Sequence, residues 1–283
     1  MTAGQNYLSR AVIENESGGL RVSYAGGLTG NIHILDEFPS RHLGRSRRVL
    51  VYLPPNYDRA KSWAYPVFYL QDGQNVFDGN TSFIPGQEWE VDESAEALIR
   101  CRSIRPLIIV AIYNAGEFRI DEYTHAPDRG RGGQADLYGK FLVEELMPFI
   151  EANYRVRNEP RNVGLGGSSL GGLVTLYLGM KYLGRFGKLA VMSPSVWWGN
   201  RTILDYIPAT FRTPRPRIWL DIGTAEGRHS VEDARTLHRE LLHKGWRDGA
   251  DVKYVEAKGA GHTESAWAAR VPAMLRFLFQ RYG

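Results

Sequence analysis

The sequence predicts an α/β fold: a mostly parallel central sheet of about eight strands, with helices on both faces and no large lid domain. Two observations predict it. Short β-branched or aromatic runs first follow one another without helices and then alternate with helical patterns, which places antiparallel strands at the start of an otherwise parallel sheet. At 283 residues, 43% hydrophobic and 12% aromatic, the chain can also bury the core such a sheet needs. No composition break, internal repeat or low-complexity segment divides it. Residues 1–283 are therefore expected to form one domain, with 1–30 as an N-terminal extension.

The strand-like runs, in order, are Asn31 to Leu35, Arg48 to Leu53, Val67 to Leu70, Leu107 to Ile112, Asn162 to Gly166, Lys188 to Met192, Arg217 to Ile222 and Val252 to Val255. Helical patterns lie between the later ones. They cover Trp89 to Ile99, Leu137 to Ile150 with apolar residues at 137, 141, 142, 146, 149 and 150, Leu170 to Lys181, and Val231 to Leu242. Ala266 to Phe279 closes the chain. Ligands of such sheets bind at the carboxyl ends of the strands, so the loops that follow strands are where chemistry is sought.

Charge and composition exclude several functions. The formal charge of +4 comes from scattered Arg and Lys, and Arg45, Arg47 and Arg48, which lead into an apolar run, read as a solvated strand end, with no nucleic-acid site. The single cysteine, Cys101, cannot form an internal disulfide and reads as a packing residue. Residues 1–20 lack the apolar region of a signal peptide, and no run reaches the roughly 18 apolar residues of a membrane span. A cytoplasmic protein without a membrane partner is the expectation. Asp78 and Asp92 lack the clustered His, Cys or carboxylate spacing of a metal site, so neither metal nor cofactor is expected.

Chemistry enters at Gly167-Ser168-Ser169-Leu170-Gly171. A strand-like run precedes it and a helical run follows, the setting of a G-x-S-x-G elbow in which the serine sits on a strained turn with its hydroxyl above the sheet. Only Ser169 fits the register, because position 170 is Leu170 where a motif centred on Ser168 would need glycine. Of seven histidines, His262 alone lies in a glycine-rich loop after the last strand and before the final helix, where a base would reach the serine. His33 lies in a strand, His42 among arginines, and His238 and His243 on a polar helix. An acid between serine and histidine in chain order is supplied by the run from Ile218 to Gly227. Glu226, on the turn after the strand, is preferred to Asp221 inside the strand, because a post-strand carboxylate can reach the Nδ1–H of the histidine; Asp233 is a third candidate.

His262 would then take the Ser169 proton and Glu226 would stabilise the imidazolium. The resulting oxyanion needs donors. One is the Leu170 backbone N–H at the N-terminus of the elbow helix, where the helix dipole also favours negative charge. The other belongs to the loop after Val67 to Leu70, at Gly73 or Gln74.

Five segments in order resemble the putative-esterase family of α/β-hydrolases, over roughly Asn31 to the C-terminus. They are Tyr69 to Asp78, Gly166-Gly167-Ser168-Ser169-Leu170-Gly171-Gly172, Ser193-Pro194-Ser195-Val196-Trp197-Trp198, Asp221 to Glu226, and Gly261-His262. That family includes enterochelin-type siderophore esterases, feruloyl and acetyl xylan esterases, and the formylglutathione hydrolases and mycolyltransferases. The resemblance implies an α/β-hydrolase fold and nucleophile, acid and base at Ser169, Glu226 and His262. Many members carry histidine where this chain has Asp72.

Only about two dozen residues separate Ser193 from the strand near Arg217, too few for a helical cap. An open site accepting a soluble or exposed ester, either a small molecule or glycan-linked, is expected. Trp89, Trp197 and Trp198 are candidates to line an acyl or aromatic pocket. The loop from Tyr113 to Gln134 follows a central strand and adds Arg119 and Tyr123. Arg119 either binds a substrate carboxylate or pairs with Glu122. A carboxylic-ester hydrolase is the leading function, with an acyltransferase or thioesterase using the same three residues second and a non-catalytic binding module third.

Overall fold

The computed structural model describes residues 22–24, 28–208 and 215–280; most of the expected N-terminal extension lies outside them. The main sheet has nine strands: β1 (Val22–Tyr24), β2 (Asn31–Ser40), β3 (Arg45–Leu53), β4 (Val67–Leu70), β5 (Ile108–Ile112), β8 (Val163–Ser168), β9 (Lys188–Met192), β10 (Arg217–Gly223) and β11 (Val252–Ala257). Their spatial order is β1-β2-β3-β5-β4-β8-β9-β10-β11. Pairing is antiparallel from β1 to β5 and parallel from β5 onward. A separate hairpin joins β6 (Pro127–Asp128) to β7 (Arg131–Gly132). All eight expected runs are strands, so the predicted fold class holds.

Because helices cover both faces, central strands read as continuous apolar runs without alternation. In β4, Val67 and Tyr69 join one core while Phe68 and Leu70 join the other. The first core packs against α5 (Leu170–Lys181) and α6 (Arg228–His243) through Leu173, Leu176 and Leu237. The second packs against α1 (Val91–Arg100) and α8 (Val271–Phe279) through Leu98, Met274 and Leu278. Between them in sequence lie α2 (Arg119–Tyr123), α3 (Ala135–Lys140), α4 (Met147–Asn153) and α7 (Glu264–Ala268).

The helical pattern around Leu137 to Ile150 extends from α3 to α4 through a π-helical segment, Phe141–Leu146. The closing pattern is not one helix: α7 and α8 are separate, and Pro272 lies in the first turn of α8, where its missing N–H costs nothing. Two expectations about side chains fail. Cys101 is exposed at the end of α1, its Sγ 3.1 Å from Ser103 Oγ, because it falls just beyond the apolar face. Arg47 is buried, not solvated: both Arg45 and Arg47 pair with buried Glu122 of α2, at 2.9 Å each. A buried cation is tolerated only with such a partner, and this one stands 75 residues away in the chain. The described residues of the β9–β10 connection include a 3₁₀ segment, Trp198–Tyr206, interrupted by left-handed backbone at Gly199, Asn200 and Arg201.

Candidate active site

Ser169 joins β8 to α5 with φ 57° and ψ −123°, a conformation that costs a non-glycine residue about 1–3 kcal/mol and persists only when its surroundings enforce it. They do: the Ser169 N–H donates to Met192 O of β9 at 3.0 Å, and Ser169 O accepts from Leu173 and Ser195 N–H. Gly167 and Gly172 make the turn sterically feasible, since a Cβ would lie 2.7 Å from the Gly171 carbonyl carbon or 2.9 Å from Met192 O. Leu170 opens α5, so its N–H precedes the intrahelical ladder and is available to a ligand.

His262 lies on the loop between β11 and α7 and is half-exposed, its Nδ1 2.6 Å from Oε2 of buried Glu226. An ionised carboxylate only accepts, so Nδ1 carries the proton and Nε2 is left as an acceptor. The other Glu226 oxygen, Oε1, accepts from Gly223 N at 2.7 Å and Ser193 Oγ at 2.6 Å. Asp221, the rival acid, is fully buried inside β10 and directed away, accepting from Trp219 Nε1 at 2.6 Å and pairing with Arg270 at 3.2 Å. Burial pushes its carboxyl up from the usual range, against the pull of Arg270.

Ser169 and His262 face one cavity of about 220 Å³, lined also by Asp72, Gln74, Arg119 and Glu264. The Ser169 hydroxyl lies 3.4 Å from Ser195 Oγ and makes no hydrogen bond to His262. Such bonds are often loose in ligand-free sites and close when substrate is bound. Of the two residues considered as second oxyanion donor, Gln74 lines the cavity, whereas Gly73 is buried with its Cα against the backbone of Ala111 and Ile112.

The expected substrate-binding residues divide. Trp89 is wholly buried, its ring 5.8 Å from that of Trp267, because the segment before α1 folds inward under the sheet's second core. Trp198 is buried too, its indole N–H donating to Ala126 O at 2.7 Å. Tyr123 is in the first core, with its hydroxyl accepting from Asp72 N at 3.2 Å. None of these three lines the cavity. Trp197 is 52% exposed, two residues beyond Ser195. Arg119 does line the cavity, but its partner is Asp72, through two bonds of 2.7 and 2.8 Å, because Glu122 is taken by Arg45 and Arg47.

Residues not singled out in the sequence complete the setting. Asn114 donates to Asp72 at 2.7 Å, and Asn75 donates to Glu264 Oε1 at 3.3 Å. Burial raises the Glu264 carboxyl. Asp92, expected to lack clustered partners, meets Glu88 and Glu93 with carboxylate oxygens within 4.8 Å. Desolvation raises Asp92 and pushes Glu88 up to about 7, so protons relieve that repulsion. Among the described residues, no helix is long and apolar enough to cross a membrane.

Known proteins resemble this chain in sequence and fold. The family model described as "Putative esterase" matches residues 40–278. The chain is 29% identical over 254 residues to the YbbA protein of Bacillus subtilis, covering 85% of this chain and 95% of that one. It is 27% identical over 238 residues to the ferri-bacillibactin esterase BesA of the same organism, covering 75% and 78%. The solved BES protein of Bacillus cereus superposes with a TM-score of 0.71 at 25% identity, covering 93% of this chain and all of that one.

Proposed function

Since the chain belongs to the putative esterase family and is a carboxylic-ester hydrolase, we propose that it works through an acyl-enzyme on Ser169, with His262 as base and Glu226 as the acid that orients it. One observation carries the reading: an elbow serine in a strained turn shares a cavity with a histidine whose Nδ1 is bonded to a buried carboxylate at 2.6 Å.

On substrate binding, His262 Nε2 takes the Ser169 proton as Oγ attacks the ester carbonyl, and Glu226 stabilises the imidazolium. The tetrahedral oxyanion is held by the Leu170 N–H at the start of α5 and by the Gln74 N–H on the facing loop. Imidazolium then protonates the departing alcohol. Water, deprotonated by the same ring, releases the acid.

The substrate is an accessible ester of acetyl, feruloyl or siderophore type. The cavity of about 220 Å³, with exposed Phe83 on its lining, supports this reading, and the similarity to BesA, a ferri-bacillibactin esterase, agrees with the last of the three. Ser169→Ala is expected to lower kcat on a p-nitrophenyl acyl ester by about 10⁴-fold or more with unchanged circular dichroism. Turnover within tenfold of the parent would overturn the assignment.

A further inference from the structure

We propose that Ser193 is a positioning residue for this reaction, with a hydroxyl proton committed to Glu226 by Trp267 and Arg270. The inference rests on the Ser169–His262–Glu226 reading and adds residues that none of its three members contacts through sequence proximity.

A serine hydroxyl has one proton to donate and two lone pairs to accept with. At Ser193 both acceptor sites are filled. Trp267 Nε1 and Arg270 Nη2 each lie 3.0 Å from Oγ, and neither group can accept in return. The only proton left must point to the third neighbour, Glu226 Oε1, at 2.6 Å. A freely rotating hydroxyl would divide its time among acceptors; this one cannot.

The backbone is set for the same purpose. Ser193 has φ 40°, and its N–H donates to Asp221, to the backbone O at 2.9 Å and to Oδ1 at 3.2 Å. Asp221 Oδ1 also pairs with Arg270 Nη2, the nitrogen that reaches Ser193. Asp221 thus fixes both the serine and the arginine that locks it. Ser193, Asp221, Trp267 and Arg270 are all at most 6% exposed, so water does not substitute for these bonds.

With Oε1 held by Ser193 and Gly223, the Glu226 carboxylate has one oxygen left to face His262, and its plane is fixed. The charged or titratable groups facing it are His262 from the β11–α7 loop and Arg270 between α7 and α8, whose Nη2 is 3.9 Å from Oε1 and is itself paired with Asp221 of β10. Loss of the Ser193 donor leaves the carboxylate a stronger acceptor, held at Oε1 by the Gly223 N–H alone and so less firmly oriented. His262 then holds its proton more tightly but is less well aligned with Ser169.

The test is Ser193→Ala, which leaves the Arg270–Asp221 pair in place, with Ser193→Gly to separate the hydroxyl from the positive φ. Both are expected to lower kcat about 10- to 100-fold, the range for one hydrogen bond to a charged group, with KM within about twofold. The acidic limb of kcat/KM should move to higher pH, and the low-field proton resonance of the His262–Glu226 bond should shift or broaden. Unchanged kcat, pH limb and resonance in both variants would overturn the proposal. Glu226→Gln, measured alongside, distinguishes the failures. If it loses activity while Ser193→Ala does not, only the role of Ser193 falls; if neither loses activity, the acid assignment falls as well.

Discussion

Behind His262, Glu226 accepts three hydrogen bonds through its two oxygens, and Ser193, Arg270 and Asp221 around it are buried and mutually bonded. On the cavity lining, by contrast, Phe83 is 82% exposed, and Trp197, 52% exposed, lies outside that lining. Between these extremes sits Arg119, tied to Asp72 yet lining the cavity. The difference is what the proposed mechanism requires of each region. A group that orients a proton acceptor works only within a few tenths of an ångström and so is fixed from every side. Side chains that meet varied substrates gain from being reachable, at the cost of burying less apolar area.

The sharpest break in this comparison separates two carboxylates that lie within one strand and turn. Glu226→Gln keeps the shape but presents a neutral amide to His262. It is expected to lower kcat by about 10³-fold, roughly 4 kcal/mol in the transition state, with little change in thermal stability. Asp221→Asn should do the reverse. It leaves Arg270 buried without a full counter-charge and is expected to cost about 3 kcal/mol of folding stability while turnover stays within about tenfold. Paired urea melts and steady-state kinetics on both variants measure this, and a larger kcat loss at Asp221 would exchange their roles.

The same contrast explains what could be read from the sequence. The elbow was legible because close backbone approach admits only glycine at 167 and 172, a constraint written in residue type. His262 and Glu226 were legible because each directly follows a strand of a parallel sheet. The strands themselves were legible because burial on both faces demands continuous apolar runs. Ser193 was not, since its meaning depends on Trp267 and Arg270, 74 and 77 residues further on. Nor was the partner of Arg119, which lies 47 residues away at Asp72, at a position whose left-handed backbone (φ 55°) no residue pattern announces. Aromatic residues misled most. Trp89 and Trp197 look alike in sequence, and only the packing of Trp89 on Trp267 decides that one is core while the other is exposed, outside the cavity lining.

Arg119 tests the middle ground. Arg119→Met alone removes both bonds to Asp72, a carboxylate that is almost fully buried and would keep only Asn114 as a side-chain donor. KM is expected to rise about tenfold, with some loss of stability from the uncompensated charge. Adding Asp72→Asn removes that charge. If KM stays high in the double variant, Arg119 touches substrate; recovery to the parent value would make the pair a support for the loop and nothing more.

The smallest effect is expected at exposed Trp197, outside the cavity lining, and it completes the scale. Trp197→Ala removes a large half-exposed ring whose neighbour is the Trp198 ring, 5.7 Å away, so folding stability should change by no more than about 1 kcal/mol. Kinetics should then depend on the ester offered. For a short acetyl ester, which ends near Ser169, kcat/KM should be unchanged. For an ester with a bulky aromatic acyl group it should fall by roughly threefold to tenfold, the worth of one aromatic contact of about 0.5–1.5 kcal/mol. Equal losses on both esters would overturn this expectation, since a side chain outside the cavity lining cannot touch an acyl group too short to reach it.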